Sequence, residues 1–168
     1  MALYQTLDQL INIPTNSVEL LITTGDLIPL WAHINRIVKP EGVVVIYGSK
    51  EYVLAQREAN PEHYRYTLSN GNTMFLSNNQ VPASAVFRVM DAKPNPPWIY
   101  NPQIIRWFGD PPYTLEDYIV QTYTNTDSTV LDPYATQETM AASLDRKFIG
   151  IQEDPFMYEA LEWMDQLI

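Results

Sequence analysis

The chain has 168 residues, of which 46% are hydrophobic and 12% aromatic, so it can bury the core of a single domain spanning residues 1–168. It contains no Cys, which excludes disulfide bonds, thiol nucleophiles and zinc or iron–sulfur centres ligated by cysteine. Twenty Asp and Glu against ten Lys and Arg give a formal net charge of −10, and a field of that sign repels nucleic acid.

The first half of the chain alternates predicted strands and helices. Residues 18–23 form a short apolar run and predict a buried strand. Residues 27–38 have apolar side chains at helical spacing, and the Lys-Pro-Glu-Gly run at 39–42 is expected to end that helix. Residues 43–47 are β-branched and predict a second buried strand, followed by a short helix over 50–59.

The middle of the chain is harder to assign. Residues 64–68 and 85–90 predict two further strands. The stretch between them, residues 69–82, is polar and rich in Asn, and we expect a loop there. Residues 91–102 are rich in proline, which favours a rigid extended connection over a helix.

The last third again shows clear periodicity. A helix is expected from Thr114, because five residues recur at helical spacing, namely Leu115, Tyr118, Ile119, Thr122 and Tyr123. Two strands (129–132 and 148–151) and two helices follow, over residues 136–144 and 155–167, the second helix beginning after Asp154. Strands separated by helices imply an open α/β sheet with parallel pairing, which binds ligands beyond the carboxyl ends of its strands.

The excess of acidic residues lies in this last third. Residues 1–109 contain as many acids as bases, whereas residues 110–168 contain twelve acids and two bases. We expect this acidic portion to attract basic protein surfaces and direct DNA binding to be unfavourable. A solvated acidic face without a partner is the alternative interpretation.

No targeting segment or metal-binding motif is visible. The longest apolar run, residues 43–47, is far short of the roughly 20 residues that span a bilayer. No signal peptide opens the sequence, so we expect a cytoplasmic protein without membrane contact. With no Cys and two His, we expect no metal site.

Four segments, taken in chain order, form a recognisable pattern. They are TLDQLINIPTNSVELLITTGD at 6–26, LWAHINRIVKPEGVVVIYGS at 30–49, IYNPQ at 99–103 and VLDPYATQETMAASLDRKFIGIQEDPFMYEALEWM at 130–164. Together they resemble the permuted DNA amino-methyltransferases, which modify adenine N6 or cytosine N4. The resemblance implies a Rossmann-like fold of the kind that uses S-adenosylmethionine, in truncated form.

The cofactor loop departs from the pattern of the family. That loop reads Asp-Pro-Phe-x-Gly-x-Gly-Thr, and the resemblance assigns Asp132, Pro133 and Tyr134 to a remnant of it. Thr136 and Glu138 replace the two glycines that let the backbone approach S-adenosylmethionine. Glu138 also brings a negative charge toward the position of the carboxylate of the cofactor.

The ribose contact is altered as well. The family has an acid at the end of the next strand, and here Gln152 stands at that position. Glu153 follows directly, but a shift of one residue along a strand points to the opposite face. The resemblance therefore gives Gln152 and Glu153 only as remnants of a ribose site.

The catalytic motif is missing from its usual place. In the family, a polar residue, two prolines and an aromatic residue follow the first strand, where they hold and stack on a flipped base. Residues 24–27 read Thr-Gly-Asp-Leu instead. A copy of the motif occurs later, as Asp110, Pro111, Pro112 and Tyr113. It is either a relocated catalytic loop or a proline turn that begins the following helix, and we favour the turn.

These departures predict a degenerate methyltransferase that needs no cofactor and acts by protein binding. Its partner would be a basic surface, on a homologous methyltransferase or on another DNA-binding enzyme. In the second case the chain would be an acidic DNA mimic from a phage or other mobile element. The alternative is an active enzyme that transfers a methyl group from S-adenosylmethionine to a DNA base.

The last helix is the surface most suited to a partner. Glu159, Glu162 and Asp165 recur at a spacing of three residues, so they lie close together on one flank. The opposite, broader side is apolar and is expected to pack on the sheet through Phe156, Met157, Ala160, Leu161 and Met164.

Overall fold

The computed structural model describes residues 1–47, 50–59, 64–69, 73–78 and 114–167. The predicted strand at 85–90, the proline-rich segment at 91–102 and the motif at 110–113 lie outside the described residues.

The described residues form seven strands and five α-helices. The strands are β1 (Ala2–Tyr4), β2 (Val18–Thr23), β3 (Val38–Tyr47), β4 (Tyr64–Ser69), β5 (Thr73–Asn78), β6 (Thr129–Asp132) and β7 (Lys147–Ile151). The helices are α1 (Trp31–Ile37), α2 (Lys50–Glu58), α3 (Leu115–Tyr123), α4 (Gln137–Ala142) and α5 (Pro155–Gln166). Two 3₁₀ segments, Leu7–Asn12 and Ile28–Leu30, precede β2 and α1.

The seven strands make one sheet in the order β1-β7-β6-β2-β3-β5-β4. The five strands from β1 to β3 are parallel neighbours. β5 pairs with β3 in the antiparallel direction, and β4 pairs with β5 in the same way. The predicted open α/β sheet is thus confirmed, with an antiparallel edge added.

Helices cover both faces of the sheet. On one face, α3, α4 and α5 pack through residues such as Ile119, Met140 and Leu161 against β2, β3, β6 and β7. On the other face, α1 and the first 3₁₀ segment pack through residues such as Ile34 and Leu10. Since both faces are covered, parallel strands can be apolar throughout, and five of the six residues of β2 are buried.

One prediction about a loop is wrong. The stretch 69–82, predicted as a loop, contains β5 (Thr73–Asn78), which pairs with both β3 and β4. The polar composition concealed this strand, although the Asn70-Gly71 pair that precedes it is a common hairpin signal. The helix that was expected to end at the run 39–42 does end there: α1 ends at Ile37, and β3 begins at Val38 and includes the run, with a shift in its register with β2.

The predicted apolar side of α5 is only partly buried. Leu161 is buried in the core, and Met164 packs against it. Phe156 and Met157 are 82% and 44% exposed, so the expectation that they pack on the sheet is wrong. They belong to the first turn of the helix, at the carboxyl edge of the sheet, where fewer strand side chains are available to cover them.

Within the described ranges, no helix is long and apolar enough to cross a membrane.

We expect Leu161→Ala to lower the free energy of unfolding by about 2–5 kcal/mol, because it leaves a cavity beneath α5. Phe156→Ala is the matched control, since this side chain is exposed, and it should change stability by less than about 0.5 kcal/mol. Urea denaturation followed by circular dichroism measures both. Equal losses would contradict the packing described for α5.

Candidate functional site

The candidate site lies between β6 and β2, at the centre of the sheet. From β6 the chain continues through α4 to β7 on one side, and from β2 it continues through α1 to β3 on the other. The two crossovers leave the centre in opposite directions, which makes this the switch point where open α/β sheets bind ligands. The residues that follow Asp132 and Thr23 therefore line the expected site.

Asp132 ends β6 and is fully buried. One carboxyl oxygen accepts a hydrogen bond from the backbone N–H of Tyr134 at 2.9 Å, and the other accepts one from Thr139 Oγ1 at 2.8 Å. The Thr23 hydroxyl donates to the same carboxyl group. Burial raises the pKa of Asp132 from 3.8 to about 6, while these hydrogen bonds act in the opposite direction.

Thr136 has a structural role at the beginning of α4. Its hydroxyl accepts a hydrogen bond from the Thr139 N–H at 3.1 Å, and Thr139 Oγ1 accepts one from the Thr136 N–H at 3.1 Å. This reciprocal pair satisfies N–H groups that a helix end otherwise leaves unpaired. The cofactor loop of the DNA amino-methyltransferases has a Gly at this position. A Gly has no hydroxyl and could not accept the hydrogen bond from the Thr139 N–H.

Gln152 is engaged by the chain itself. Its Nε2 donates to the carbonyl of Ala135 at 2.8 Å, and its Oε1 accepts a hydrogen bond from the Asp154 N–H at 3.0 Å. Glu153 is exposed, and its Oε2 accepts a hydrogen bond from the Leu7 N–H at 3.1 Å. Gln152 thus ties the loop after β6 to the end of β7, and Glu153 ties that end to the first 3₁₀ segment.

Tyr134 covers the loop that follows β2. Its ring lies so close to Gly25 that a Cβ built there would be 2.0 Å from Tyr134 Cδ2. Its hydroxyl donates to the carbonyl of Asp26 at 2.5 Å. The cofactor loop of the DNA amino-methyltransferases has a Phe at this position, which could not form this bond. The Tyr52 hydroxyl donates to the carbonyl of Gly25. The loops after β6 and β2 are therefore joined across the switch point.

Gln56 on α2 holds the same loop from the other side. It is 3% exposed, and its Oε1 accepts a hydrogen bond from the Leu27 N–H at 2.6 Å while its Nε2 donates to Asp26 Oδ1 at 3.0 Å. Sequence reasoning missed both Tyr52 and Gln56. Their spacing of four residues, which places them on one face of α2, was the available signal.

The carboxyl edge of the sheet is acidic. Glu116 accepts a hydrogen bond from the Tyr47 hydroxyl at 2.9 Å, and burial together with this carboxylate raises the pKa of Tyr47. Further acids at this edge come from the loop after β2, the first turns of α3 and α4, and the residues after β7, namely Asp26, Asp117, Glu138, Glu153 and Asp154. Those in helix first turns are stabilised by the positive end of the helix dipole.

Basic side chains are found at the opposite edge. Lys39, at the beginning of β3, pairs with Glu19 at 2.6 Å. Arg146, just before β7, pairs with Asp145 at 2.8 Å. The described part of the chain is thus electrostatically asymmetric along its strands. In the ranges that the structure describes, no group of three or more His, Asp or Glu side chains could hold a metal ion.

Several solved structures share this architecture. M1.HpyAVI is similar with a TM-score of 0.63 and 17% identity, over 97% of each chain. TTHA0409 from Thermus thermophilus, described as a DNA modification methylase, has a TM-score of 0.62 and 16% identity, over 99% of this chain and 95% of its own. The PvuII cytosine-N4-specific DNA methyltransferase has a TM-score of 0.62 and 15% identity, over 96% and 84%.

These similarities confirm the expected fold. The chain has the Rossmann-like fold of the DNA methyltransferases, in a short form of 168 residues. No protein-family model matches the chain, and no curated protein sequence matches it.

The described residues at the switch point make bonds to one another and depart from the loop of the family that binds S-adenosylmethionine. The Tyr134 ring packs against Gly25, between the ends of β6 and β2. The polar groups of Asp132 and Gln152 make bonds within the chain. Glu138 adds a negative charge to the first turn of α4.

We expect Gly25→Ala to destabilise the fold by about 1–3 kcal/mol, because its methyl group would overlap the Tyr134 ring. In a Tyr134→Ala background the same substitution should cost much less. The double-mutant cycle, measured by urea denaturation, isolates this coupling. Thr24→Ala, at the exposed neighbouring position, is the control and should be close to neutral. Additive losses would show that the two loops are not in contact.

Asp132 should make stability depend on pH. Its pKa is about 6 in the folded chain and 3.8 as the ordinary value, so the folded state binds the proton more tightly. The stabilisation from that proton is fully present below about pH 4 and is lost as the pH rises through about 6. Wild type should therefore lose stability relative to Asp132→Asn across that window in urea titrations. Parallel stability curves for the two proteins would contradict the raised pKa.

Proposed function

We propose that this chain is a protein with a methyltransferase fold that does not use S-adenosylmethionine and acts by binding another protein. The observation that carries the proposal is the contact of Tyr134 with Gly25 and Asp26. This contact lies at the switch point, where open α/β sheets bind ligands. A site that is closed by the chain's own side chains leaves the outer surface to perform the function.

The hydrogen bonds around the site support the same conclusion. Thr136 caps α4 at the position where the cofactor loop of the family has a Gly. Gln152 stands at the position of the ribose-binding acid of the family and donates to the carbonyl of Ala135, in the loop after β6. Each of these residues therefore has a role in the stability of the chain. Substitutions that stabilise a loop in a closed form are those expected after cofactor binding has been lost.

The acidic charge indicates the kind of partner. The carboxyl edge and the outer face of α5 carry acids, and residues 110–168 contain twelve of the twenty. A basic protein surface is the complement of such a field. A non-catalytic partner of a methyltransferase would form a stable complex with the homologous enzyme. A DNA mimic from a phage or other mobile element would form a salt-sensitive complex with a DNA-binding enzyme.

An active DNA methyltransferase is the second candidate. It is favoured by the structural neighbours, since M1.HpyAVI and TTHA0409 have each been solved with S-adenosylmethionine. It would require the motif from Asp110 to Tyr113 as the catalytic loop. It would also require Asp132 near the cofactor and Gln152 or Glu153 on the ribose, which means that the loop contacts described above would have to open.

Calorimetric titration of the full chain with S-adenosylmethionine tests the proposal. We expect binding weaker than about 1 mM, which corresponds to about −4 kcal/mol, because the closed loops must separate before the cofactor can enter. The matched variant combines Tyr134→Phe, Thr136→Gly and Glu138→Gly. It removes the hydroxyl that joins the loops and restores both glycines, and it should bind more tightly than wild type.

Micromolar binding by wild type would overturn the proposal in favour of the active enzyme. Equal weak binding by wild type and the triple variant would show that the closed loop is not what prevents binding. A parallel titration with duplex DNA at physiological salt separates the partner classes. Binding much tighter than the nonspecific range of about 10⁻⁴–10⁻⁶ M would contradict a basic protein partner.

A further inference from the structure

The outer face of α5 exposes two large aromatic side chains. Phe156 and Trp163 are 82% and 64% exposed. They are seven residues apart in one helix, so they lie on the same face about 10 Å from each other along the axis. Leu161 on the opposite side provides the contact with the core. The fold therefore does not require either aromatic residue where it stands.

The two aromatic residues line a shared groove of about 730 Å³. Glu159 and Glu162 lie on its wall between them, and Gln5, just after β1, contributes from outside the helix. None of the described residues lining this groove carries a positive charge. The groove thus combines aromatic anchors with negative charge. Exposed aromatic residues bordered by polar ones are characteristic of protein-binding surfaces.

We propose that this groove, formed by Phe156, Glu159, Glu162 and Trp163, binds a basic amphipathic helix of another protein. The proposal rests on the proposed function, because it names the surface through which the chain would bind its partner. Two apolar side chains of the incoming helix, about two turns apart, would contact Phe156 and Trp163. Lys or Arg side chains beside them would pair with Glu159 and Glu162.

Charge selects this occupant over a second copy of the chain. A symmetric dimer through the same face would bring Glu159 and Glu162 of each copy near their counterparts, and like charges in an interface are unfavourable. Nucleic acid is disfavoured by the same two carboxylates. Asp165 was expected to belong to this acidic flank, but it is half-buried and does not line the groove. The negative charge of the groove therefore comes from Glu159 and Glu162.

The test uses the full chain and a synthetic helical peptide of about five turns. The peptide contains no Trp, has Leu at positions i, i+4 and i+7, and carries Lys on both flanks. A second peptide has Glu in place of every Lys. Calorimetry measures the affinity, and the part of the Trp emission change that is lost in Trp163→Phe, among the four Trp residues of the chain, reports the burial of Trp163. We expect micromolar binding of the basic peptide, a blue shift of the emission, and no measurable binding of the acidic peptide.

Two variants of the groove and two matched controls locate the site. Phe156→Ser with Trp163→Ser, and separately Glu159→Lys with Glu162→Lys, should each weaken binding at least about tenfold. The second pair should also flatten the salt dependence. The controls make changes of the same kind, apolar to Ser and acid to Lys, at exposed positions elsewhere: Ile11→Ser, and Glu58→Lys with Asp127→Lys. They should stay within about twofold of wild type, since surface changes seldom disturb the fold.

Three results would overturn this surface as the docking site: no binding of the basic peptide, equal binding of the acidic peptide, or equal losses in groove and control variants. Each of them leaves the proposed function standing if S-adenosylmethionine does not bind. Micromolar binding of S-adenosylmethionine overturns the proposed function, whatever the peptides do. The two failures are therefore distinguishable.

Discussion

The hydrogen bonding of one buried carboxyl group organises the centre of this molecule. Asp132 is fully buried, and a buried polar group without partners is strongly unfavourable. The backbone of Tyr134 and the hydroxyls of Thr139 and Thr23 satisfy it. These bonds fix the loop after β6, the beginning of α4 and the end of β2 in one arrangement. The position of Tyr134 over Gly25 follows from that arrangement, and it joins the loops after β6 and β2.

The parts of the fold that the sequence predicted well are those with a strong local signal. β2 and β6 were predicted with their observed bounds, because helices cover both faces of the sheet and these strands are buried and apolar at their centres. β5 was missed because its pairing with β3 and β4 outweighs its polar composition. Phe156 was misplaced because helical periodicity defines a face but does not reveal how far the sheet extends beneath it.

The candidate site was predictable only in part. The resemblance led to Asp132 and Gln152 because both lie in a contiguous motif. It gave no account of what they contact, since those bonds depend on loop geometry. Tyr52 and Gln56 were missed because they reach the loop after β2 from a helix 27 and 29 residues further along the chain. Their spacing of four residues places them on one face of α2 but does not reveal what that face contacts.

The strand order has a consequence for how the chain acquires its structure during synthesis. β1 and β2 leave the ribosome before β6 and β7, which lie between them in the sheet. The centre of the sheet can therefore be completed only after β7 has been made. Until then β2 presents an unpaired apolar edge, the kind of surface that invites aggregation and chaperone capture. Completion of the sheet thus waits for β6 and β7, the last of the described strands to be translated.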